Sequence, residues 1–167
     1  MKCALIGEKL GHSYSKLIHE AFGLYSYELV SLPRDRVGEF MENGDFDAFN
    51  VTIPYKRTVI PYCSYISPEA QKIGSVNTVI RTQDGLHGFN TDYFGFKSMA
   101  ARAGIDFAGK KVVILGSGGT SLTVRAVAAD CGADRITVVS RSGEYNYENL
   151  EKLSDCEVLI NTTPVGM

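Results

Sequence analysis

The chain has 167 residues, of which 44% are hydrophobic and 22% are charged, and its formal net charge is −2. This composition is typical of a globular protein, and it provides neither the basic surface that binds nucleic acid nor a polybasic patch for membranes. The first apolar stretch is too short for a signal peptide, and no later one reaches the length of a membrane span. The four cysteines form no Cys-x-x-Cys pair, so they predict buried thiols rather than a metal site or disulfides. We therefore expect a cytoplasmic protein without a bound metal.

The first part of the chain alternates short apolar strands with helical patterns, which predicts an α/β layer structure. Strands are expected at residues 3–6, 27–32 and 48–53, and a hairpin at 76–90 across Asp84-Gly85. Ser67 followed by Pro68 predicts a helix start, and Gly74 predicts its end. A further helix begins at Thr91 or Asp92, and we expect it to bridge to a second domain.

The second part is organised around residues 110–121, which read KKVVILGSGGTS. A buried strand at 112–115 leads into three glycines and then a helix at 120–131, followed by strands at 135–139 and 157–160 with a short helix between them. A strand, a glycine turn and a helix N-terminus together form an anion site. This pattern predicts one βαβαβ half of a Rossmann-like dinucleotide-binding domain, with Ser121 in the place of the third glycine. The predicted domains are 1–106 and 107–167.

The second strand of this half ends where an acidic residue would bind a ribose 2′-hydroxyl. The chain has Ser140 and Arg141 there. A guanidinium can bind a 2′-phosphate, so the pattern favours NADP over NAD. The alternative is that Arg141 is a solvated surface charge.

In the first part, polar side chains cluster where predicted strands end. Ser13 and Ser15 can point two hydroxyls at one anion, although the same residues can cap a helix. Asn50 and Thr52 share one face of a strand, and Lys56 follows as a partly desolvated lysine that can shuttle a proton, or as an ordinary surface lysine. Further on, Asn77 adds an amide and Asp92 adds a carboxylate that can pair with the lysine. We expect structural roles for the three histidines, His12, His19 and His87.

Six motifs in this order resemble the shikimate dehydrogenase family. They lie at residues 11–15 (GHSYS), 50–56 (NVTIPYK), 74–78 (GSVNT), 88–92 (GFNTD), 116–119 (GSGG) and 161–167 (NTTPVGM). The resemblance extends over the whole chain and corresponds to the amino-terminal portion of the family. It implies an amino-terminal α/β substrate-binding domain followed by a partial NADP-binding domain, and NADP-linked reversible reduction of 3-dehydroshikimate to shikimate.

The resemblance also implies a role for each site residue. Ser13 and Ser15 would bind the ring carboxylate, while Thr52, Asn77 and Asp92 would hold ring hydroxyls. Lys56, paired with Asp92, would donate or accept the proton. The cofactor would be held by the glycine turn, the end of the second strand and one threonine: Gly116, Ser117, Gly118, Gly119, Thr120, Ser140, Arg141 and Thr163.

Family members continue beyond the portion that this chain resembles. From this we expect a weakly active or inactive chain, with a sheet edge left uncovered beside the first strand of the second domain and open to self-association. Two other functions stay open: a quinate/shikimate dehydrogenase that uses NAD, and a non-catalytic module that binds a shikimate-like acid.

Overall fold

The computed structural model describes residues 1–11 and 13–165, so His12 and the last two positions of the final motif, Gly166 and Met167, lie outside the described residues. The chain divides into two compact units, Met1–Thr91 and the part from Asp92 onward. Each unit has its own β-sheet, and the predicted α/β fold class is confirmed.

The first unit is a mixed six-stranded sheet with the order β2-β1-β3-β5-β6-β4. β1 is parallel to β2 and β3, whereas β5 is antiparallel to both β3 and β6, and β4 is parallel to β6. The elements are β1 (Lys2–Gly7), α1 (Ser15–Ala21), β2 (Ser26–Ser31), α2 (Val37–Asn43), β3 (Ala48–Val51), β4 (Tyr65–Ile66), α3 (Pro68–Ile73), β5 (Thr78–Thr82) and β6 (Gly85–Phe89). Short 3-10 helices at Arg34–Arg36 and Ile60–Tyr62 complete it.

Local sequence signals explain where several of these elements begin and end. The Ser67 hydroxyl accepts a hydrogen bond from the Ala70 amide at 3.3 Å, which caps α3 as predicted. Gly74 ends that helix in the left-handed region, at φ 68°. The β5–β6 hairpin turns at Gly85, which has φ 115°.

Both faces of the first sheet bury apolar residues. One face packs Ile6, Phe49 and Val79 against Val37 and Met41, so α2 turns this side toward the core. The opposite face buries a smaller cluster, which consists of Cys3, Leu5, Leu10 and Tyr27. The apolar residues of the α1 segment do not join it, since Leu17, Ile18 and Phe22 are 68%, 56% and 61% exposed.

The second unit contains a three-stranded parallel sheet with the order β8-β7-β9. Its elements are α4 (Thr91–Arg102, which begins on the last residue of the first unit), β7 (Lys111–Leu115), α5 (Gly119–Asp130), β8 (Arg135–Val139) and β9 (Val158–Asn161). The short helix predicted between β8 and β9 is a 3-10 helix at Leu150–Leu153.

The strand order corrects one prediction about this sheet. We expected an uncovered edge beside the first strand, but β7 is the central strand and pairs on both sides. The chain after β8 crosses to the far side of β7 instead of adding a strand beside β8. Among the strands that the structure describes, β8 and β9 are therefore the edge strands of this sheet.

Two further observations concern the predictions about membrane spans and about the cysteines. None of the helices within the described ranges combines the length and the apolar character of a membrane-spanning segment. All four cysteines are free thiols, but only Cys3 is buried, and Cys63, Cys131 and Cys156 are partly exposed. The prediction that all four thiols are buried is therefore wrong for three of them.

Candidate functional site

The polar residues predicted in the first unit lie along one edge of its sheet, by which we mean the line formed by the strand ends and not an outermost strand. β1, β3 and β6 end at this edge, and β5 begins there, because β5 runs antiparallel to its neighbours. Backbone hydrogen bonds join the segments at these strand ends: Thr52 N donates to Ile6 O at 2.9 Å, and Asn77 N donates to Phe89 O at 3.0 Å. The carboxyl ends of parallel strands are the common place for ligands in open α/β sheets. The fold thus brings together segments that lie up to 78 residues apart in the sequence, which include Ser13, Thr52, Asn77 and Thr91.

The loop after β1 carries Ser13 and Ser15. The Ser13 hydroxyl accepts a hydrogen bond from the Ser15 amide at 3.2 Å, and Ser15 is the first residue of α1. Both residues are partly buried. The bond from the Ser15 amide orders the loop before α1, but the N-cap of this helix is Tyr14 and no side chain caps it, so the capping alternative is wrong in detail. The Ser13 oxygen acts as an acceptor in this bond, which leaves its hydroxyl hydrogen for a ligand acceptor.

The turn after β3 carries Thr52 and Lys56, and backbone hydrogen bonds hold it both internally and to the segment before β5. Tyr55 N donates to Thr52 O at 2.9 Å, while Val76 N donates to Lys56 O at 2.8 Å. Tyr55 is fully buried, and its hydroxyl donates to the Leu32 carbonyl. Thr52 and Lys56 are themselves partly buried. The start of the Lys56 side chain is thereby fixed relative to the segment that contains Asn77.

Asn77 is held by hydrogen bonds to two neighbouring segments. Its side chain is buried, and its Oδ1 accepts from Thr91 N at 2.9 Å and from Thr78 Oγ1 at 3.1 Å. Thr91 is the first residue of α4, and Asp92 follows it in the first turn of that helix. The neighbouring Asn90 donates to Ser75 O at 2.9 Å. The Asn77 amide therefore fixes the point at which the helix that carries Asp92 begins.

Sequence reasoning did not single out Tyr27, which lies beside this cluster. Its hydroxyl donates to Asn50 Oδ1 at 2.7 Å, and its ring stacks on His19 with centroids 4.0 Å apart and planes at 7°. His19 Nδ1 lies 2.6 Å from the Tyr25 hydroxyl oxygen. Burial lowers the pKa of His19 and raises the pKa of Tyr27. No sequence pattern links these residues, because His19 lies in α1, Tyr27 in β2 and Asn50 in β3, and only the tertiary fold brings these elements together.

A cavity of about 190 Å³ opens over these side chains, on the sheet face that carries Cys3. It is lined by the aromatic residues just described and by the neighbouring strands: Met1, Cys3, His19, Tyr25, Tyr27, Ala48, Phe49, Asn50, Thr78 and Ile80. The predicted substrate-binding residues are not among them. The cavity is therefore a feature of the sheet face, and the predicted site lies at the sheet edge.

In the second unit the glycine turn has the conformation that the sequence predicts. Gly116 has φ 103°, and a Cβ there would lie 2.9 Å from Thr162 Oγ1 and 3.0 Å from Thr163 Cγ2. Only glycine fits such a position without strain. At Gly118 and Gly119 an added Cβ would meet no atom within 4 Å. The first glycine is therefore required by the fold, and the other two leave the start of α5 open.

Ser121 fits the place of the third glycine. Its side chain is only 1% exposed, and its hydroxyl donates to Gly118 O at 2.6 Å. The buried hydroxyl is thus satisfied, and it closes the first turn of α5. Substitution of glycine by serine here keeps the close packing that the fingerprint requires.

The start of α5 suits a phosphate group. The helix has twelve residues, and no side chain caps its first turn. Its first amides lack intrahelical acceptors and carry the positive end of the helix dipole. Ser117 and Thr120 are exposed on either side of the two open glycines. Amide donors, hydroxyls and open space together fit the diphosphate of a dinucleotide.

The remaining predicted cofactor residues lie at the same edge of this sheet. Gly116 N donates to Val139 O at 2.8 Å, which places the end of β8 beside the glycine turn. Ser140 and the exposed Arg141 follow in a tight turn that is closed by a hydrogen bond from Ser140 N to Tyr145 O at 3.0 Å. Thr163, after β9, donates to Asn161 Oδ1 at 2.7 Å. The carboxyl ends of β7, β8 and β9 thus carry every predicted cofactor residue.

The opposite edge of the second sheet is held by ion pairs. Asp155 lies 2.8 Å from Lys111 Nζ and 2.6 Å from an Arg135 guanidinium nitrogen, and Glu157 lies 2.9 Å from Lys110 Nζ. These hydrogen bonds lower the pKa of both carboxyl groups. Within the described ranges, no group of three or more His, Cys, Asp or Glu residues has the arrangement of a metal site. The ion pairs link the amino-terminal ends of β7 and β8 to the segment before β9.

Comparison with known proteins identifies the family of this chain. Residues 5–79 match the family described as the shikimate dehydrogenase substrate binding domain. A shikimate dehydrogenase (NADP(+)) of Clostridium perfringens strain SM101 is 38% identical over 98% of this chain and 68% of its own length. The corresponding protein of Clostridium beijerinckii is 36% identical over 98% and 67%.

Solved structures show the same similarity. A chorismate mutase/shikimate 5-dehydrogenase fusion protein from Clostridium acetobutylicum has a TM-score of 0.92 and 38% identity over 99% of this chain and 67% of that protein. Shikimate 5-dehydrogenase from Thermus thermophilus, in complex with NADP(H) and shikimate, has a TM-score of 0.85 and 30% identity over 98% and 68%. The chain therefore belongs to the shikimate dehydrogenase family.

Proposed function

We propose that this chain binds a shikimate-type ring acid through its first part and NADP through its second part, for the NADP-dependent, reversible reduction of 3-dehydroshikimate to shikimate. The observation that carries the proposal is the convergence of Ser13, Thr52, Lys56 and Asn77 at one sheet edge in a member of this family. The relatives with the same sheet arrangement are named shikimate dehydrogenases, and one of them is in complex with NADP(H) and shikimate. We assign substrate binding to residues 1–106 and cofactor binding to residues 107–167.

In the proposed substrate site, Ser13 and Ser15 bind the ring carboxylate. Thr52, Asn77 and Asp92 bind the ring hydroxyls. The support for Asn77 is its burial with a fixed amide, since a donor that is held in place before binding loses little entropy when the ligand arrives. The support for Asp92 is its place directly after Thr91, whose amide the same Asn77 holds.

Lys56 is the proposed proton donor and acceptor. When bound, reduced NADP would supply a hydride to the ring carbonyl, and the carbonyl oxygen would then need one proton. The Lys56 ammonium gives that proton, and in the reverse direction the Lys56 amine takes it from the shikimate hydroxyl. We assign to Asp92 the further task of stabilising the ammonium form between turnovers.

For the cofactor we assign the diphosphate to residues 116–120, where Gly118 and Gly119 leave the start of α5 open. Ser140 and Arg141 are assigned to the 2′-phosphate, which a guanidinium binds with two hydrogen bonds. Thr163 stands next to the Gly116 turn and is assigned to the nicotinamide half of the cofactor.

Substitution of Lys56 tests the proposal. For Lys56→Ala we expect NADP-dependent oxidation of shikimate, followed by the absorbance of the reduced nicotinamide, to fall by about 10²- to 10⁴-fold, the usual contribution of a general acid–base. Lys152→Ala, which removes an exposed lysine from the 3-10 helix, is the matched control and should keep the rate. Activity of Lys56→Ala close to that of the unsubstituted chain would contradict the assignment.

The same assay, run with shikimate and quinate and with NADP and NAD, decides between the proposed function and its alternatives. Faster turnover of quinate with NAD would favour the quinate/shikimate alternative. Calorimetric binding of shikimate by a chain that shows no turnover with either cofactor would favour the non-catalytic binding module. Absence of both shikimate binding and turnover would refute the proposal for this chain.

A further inference from the structure

Four residues of the first unit form a chain of hydrogen bonds that leads from β2 to the predicted substrate residue Asn77. The Tyr27 hydroxyl donates to Asn50 Oδ1 at 2.7 Å, Asn50 Nδ2 donates to Thr78 Oγ1 at 3.1 Å, and Thr78 Oγ1 donates to Asn77 Oδ1 at 3.1 Å. We call this chain the relay. Every donation in it runs in the same direction, and such chains strengthen each bond by mutual polarisation.

The direction of the relay is fixed at both of its ends. Tyr27 is 2% exposed, and burial raises its pKa, so the phenol keeps its proton and remains available as a donor. At the other end, the backbone amide of Thr91 can only donate, and it donates to Asn77 Oδ1 at 2.9 Å. The oxygen of Asn77 is therefore the end that faces Thr91 N and Thr78.

This arrangement determines what Asn77 offers to a ligand. Its oxygen already accepts from Thr78 and from the Thr91 amide, while its Nδ2 reaches one hydroxyl, Thr91 Oγ1 at 3.1 Å. An amide nitrogen has two hydrogens, so one of them remains for a further acceptor. Asn77 is thereby set as a donor toward a lone pair of a ligand oxygen.

We propose that Tyr27, Asn50 and Thr78 are positioning residues, which hold the Asn77 amide as a donor toward a ring oxygen of the substrate and hold the first residue of α4 in place. The substrate part of this inference rests on the proposed function. The structural part concerns only the unliganded chain. The two parts can therefore be tested by separate measurements.

The structural part is tested by hydrogen exchange of the Thr91 amide in the unliganded chain. Thr78→Val removes the hydroxyl that links Asn50 to Asn77, and Asn50→Asp replaces the amide donor by a carboxylate acceptor of the same shape. The Thr78 proton then turns toward residue 50 and leaves Asn77. A single hydrogen bond contributes about 1 kcal/mol, so we expect about fivefold faster exchange at Thr91 in both variants.

Two controls separate the relay from general loosening. Thr78→Ser keeps the hydroxyl and should exchange at the rate of the unsubstituted chain. Tyr25→Phe removes a phenol hydroxyl that lies 2.6 Å from His19 Nδ1 in the same cavity but outside the relay, and it should leave Thr91 unchanged, whereas Tyr27→Phe should speed its exchange. Equal Thr91 exchange in Thr78→Val and Thr78→Ser would overturn the inference, and so would equal effects of the two phenylalanine variants.

The substrate part is tested by calorimetric titration with shikimate and, separately, with NADP. We expect Thr78→Val and Asn50→Asp to weaken shikimate binding by about five- to tenfold and to leave NADP binding unchanged, while Thr78→Ser binds like the unsubstituted chain. Undiminished shikimate binding in Thr78→Val would overturn this part. If the unsubstituted chain binds no shikimate, the proposed function fails and the substrate part with it, whereas the Thr91 measurement still decides whether the relay exists.

Discussion

Gly116 and Gly118 lie two residues apart in the same turn, yet an added methyl group meets different surroundings at each. At Gly116 the backbone has φ 103°, and a Cβ would approach Thr162 Oγ1 to 2.9 Å and the Thr162 backbone carbon to 3.3 Å. At Gly118 the backbone has φ −77°, which every residue adopts, and a Cβ would meet no atom within 4 Å. Substitution by alanine at these two positions therefore separates what the fold requires from what a ligand requires.

For Gly116→Ala we expect a loss of about 1–3 kcal/mol in the free energy of unfolding, since a residue with a Cβ is strained in this backbone region. Thr162 has little freedom to move away, because its amide and its hydroxyl both donate to Leu115 O, at 2.8 and 2.7 Å. Gly118→Ala should leave the free energy of unfolding unchanged or slightly higher. Urea unfolding followed by circular dichroism measures both variants against the unsubstituted chain.

NADP binding should be weakened by Gly118→Ala, the substitution that leaves the free energy of unfolding unchanged. A methyl group on Gly118 occupies the open space at the start of α5, where the diphosphate must approach the backbone amides. Loss of one charge-assisted hydrogen bond costs about 1.5–3 kcal/mol, which corresponds to about ten- to hundredfold weaker binding in calorimetry of a normally folded variant. Equal destabilisation by the two substitutions would refute the steric argument. Unchanged NADP affinity in Gly118→Ala would refute the assignment of this turn to the diphosphate.

Two further predictions concern the second unit. Arg141→Leu should weaken NADP binding by about ten- to hundredfold and leave NAD binding unchanged in parallel titrations, because only NADP carries the 2′-phosphate; equal losses would contradict this. The pKa of Asp155 is lowered by hydrogen bonds from Lys111 and by Arg135, so its stabilising contribution is complete above the unfolded pKa of about 4 and is lost as pH falls through the folded value. Asp155→Asn should therefore show a weaker decline of melting temperature in acid, and an unaltered decline would contradict the ion-pair assignment.

Features that depend on a few neighbouring residues could be predicted from the sequence. Ser67 and Gly74 bound α3 because a side-chain cap and a left-handed glycine act within one helical turn. The Gly116 turn is predictable for the same reason, since a buried strand, three glycines and a helical repeat are contiguous. In both cases the physical cause lies within about ten residues of its effect.

Features that depend on strand order and register could not be predicted in this way. The spacing of apolar residues gives β9 as a strand but does not state on which side of β7 it pairs, and the expected open edge was wrong for that reason. Likewise, Tyr27 contacts Asn50 only because β1 pairs with both β2 and β3 in a particular register. The motif that contains Asn50 indicated a polar strand end, whereas its hydrogen-bond partner has no local signal.

The proposed ligand sites of the two units are built in different ways, and the difference follows from what each proposed ligand needs. In the first unit the predicted groups are ordered by each other before any ligand arrives, as Ser13 is by the Ser15 amide and Asn77 by Thr78 and Thr91. A small ring acid with several hydroxyls is recognised by the positions of donors and acceptors, so fixed side chains favour both orientation and affinity. In the second unit Gly118 and Gly119 leave open space at the helix start, which suits a diphosphate that is recognised by backbone amides and by charge. Rigid side chains at the proposed ring-acid site and open backbone at the proposed diphosphate site are thus two different physical solutions to ligand binding.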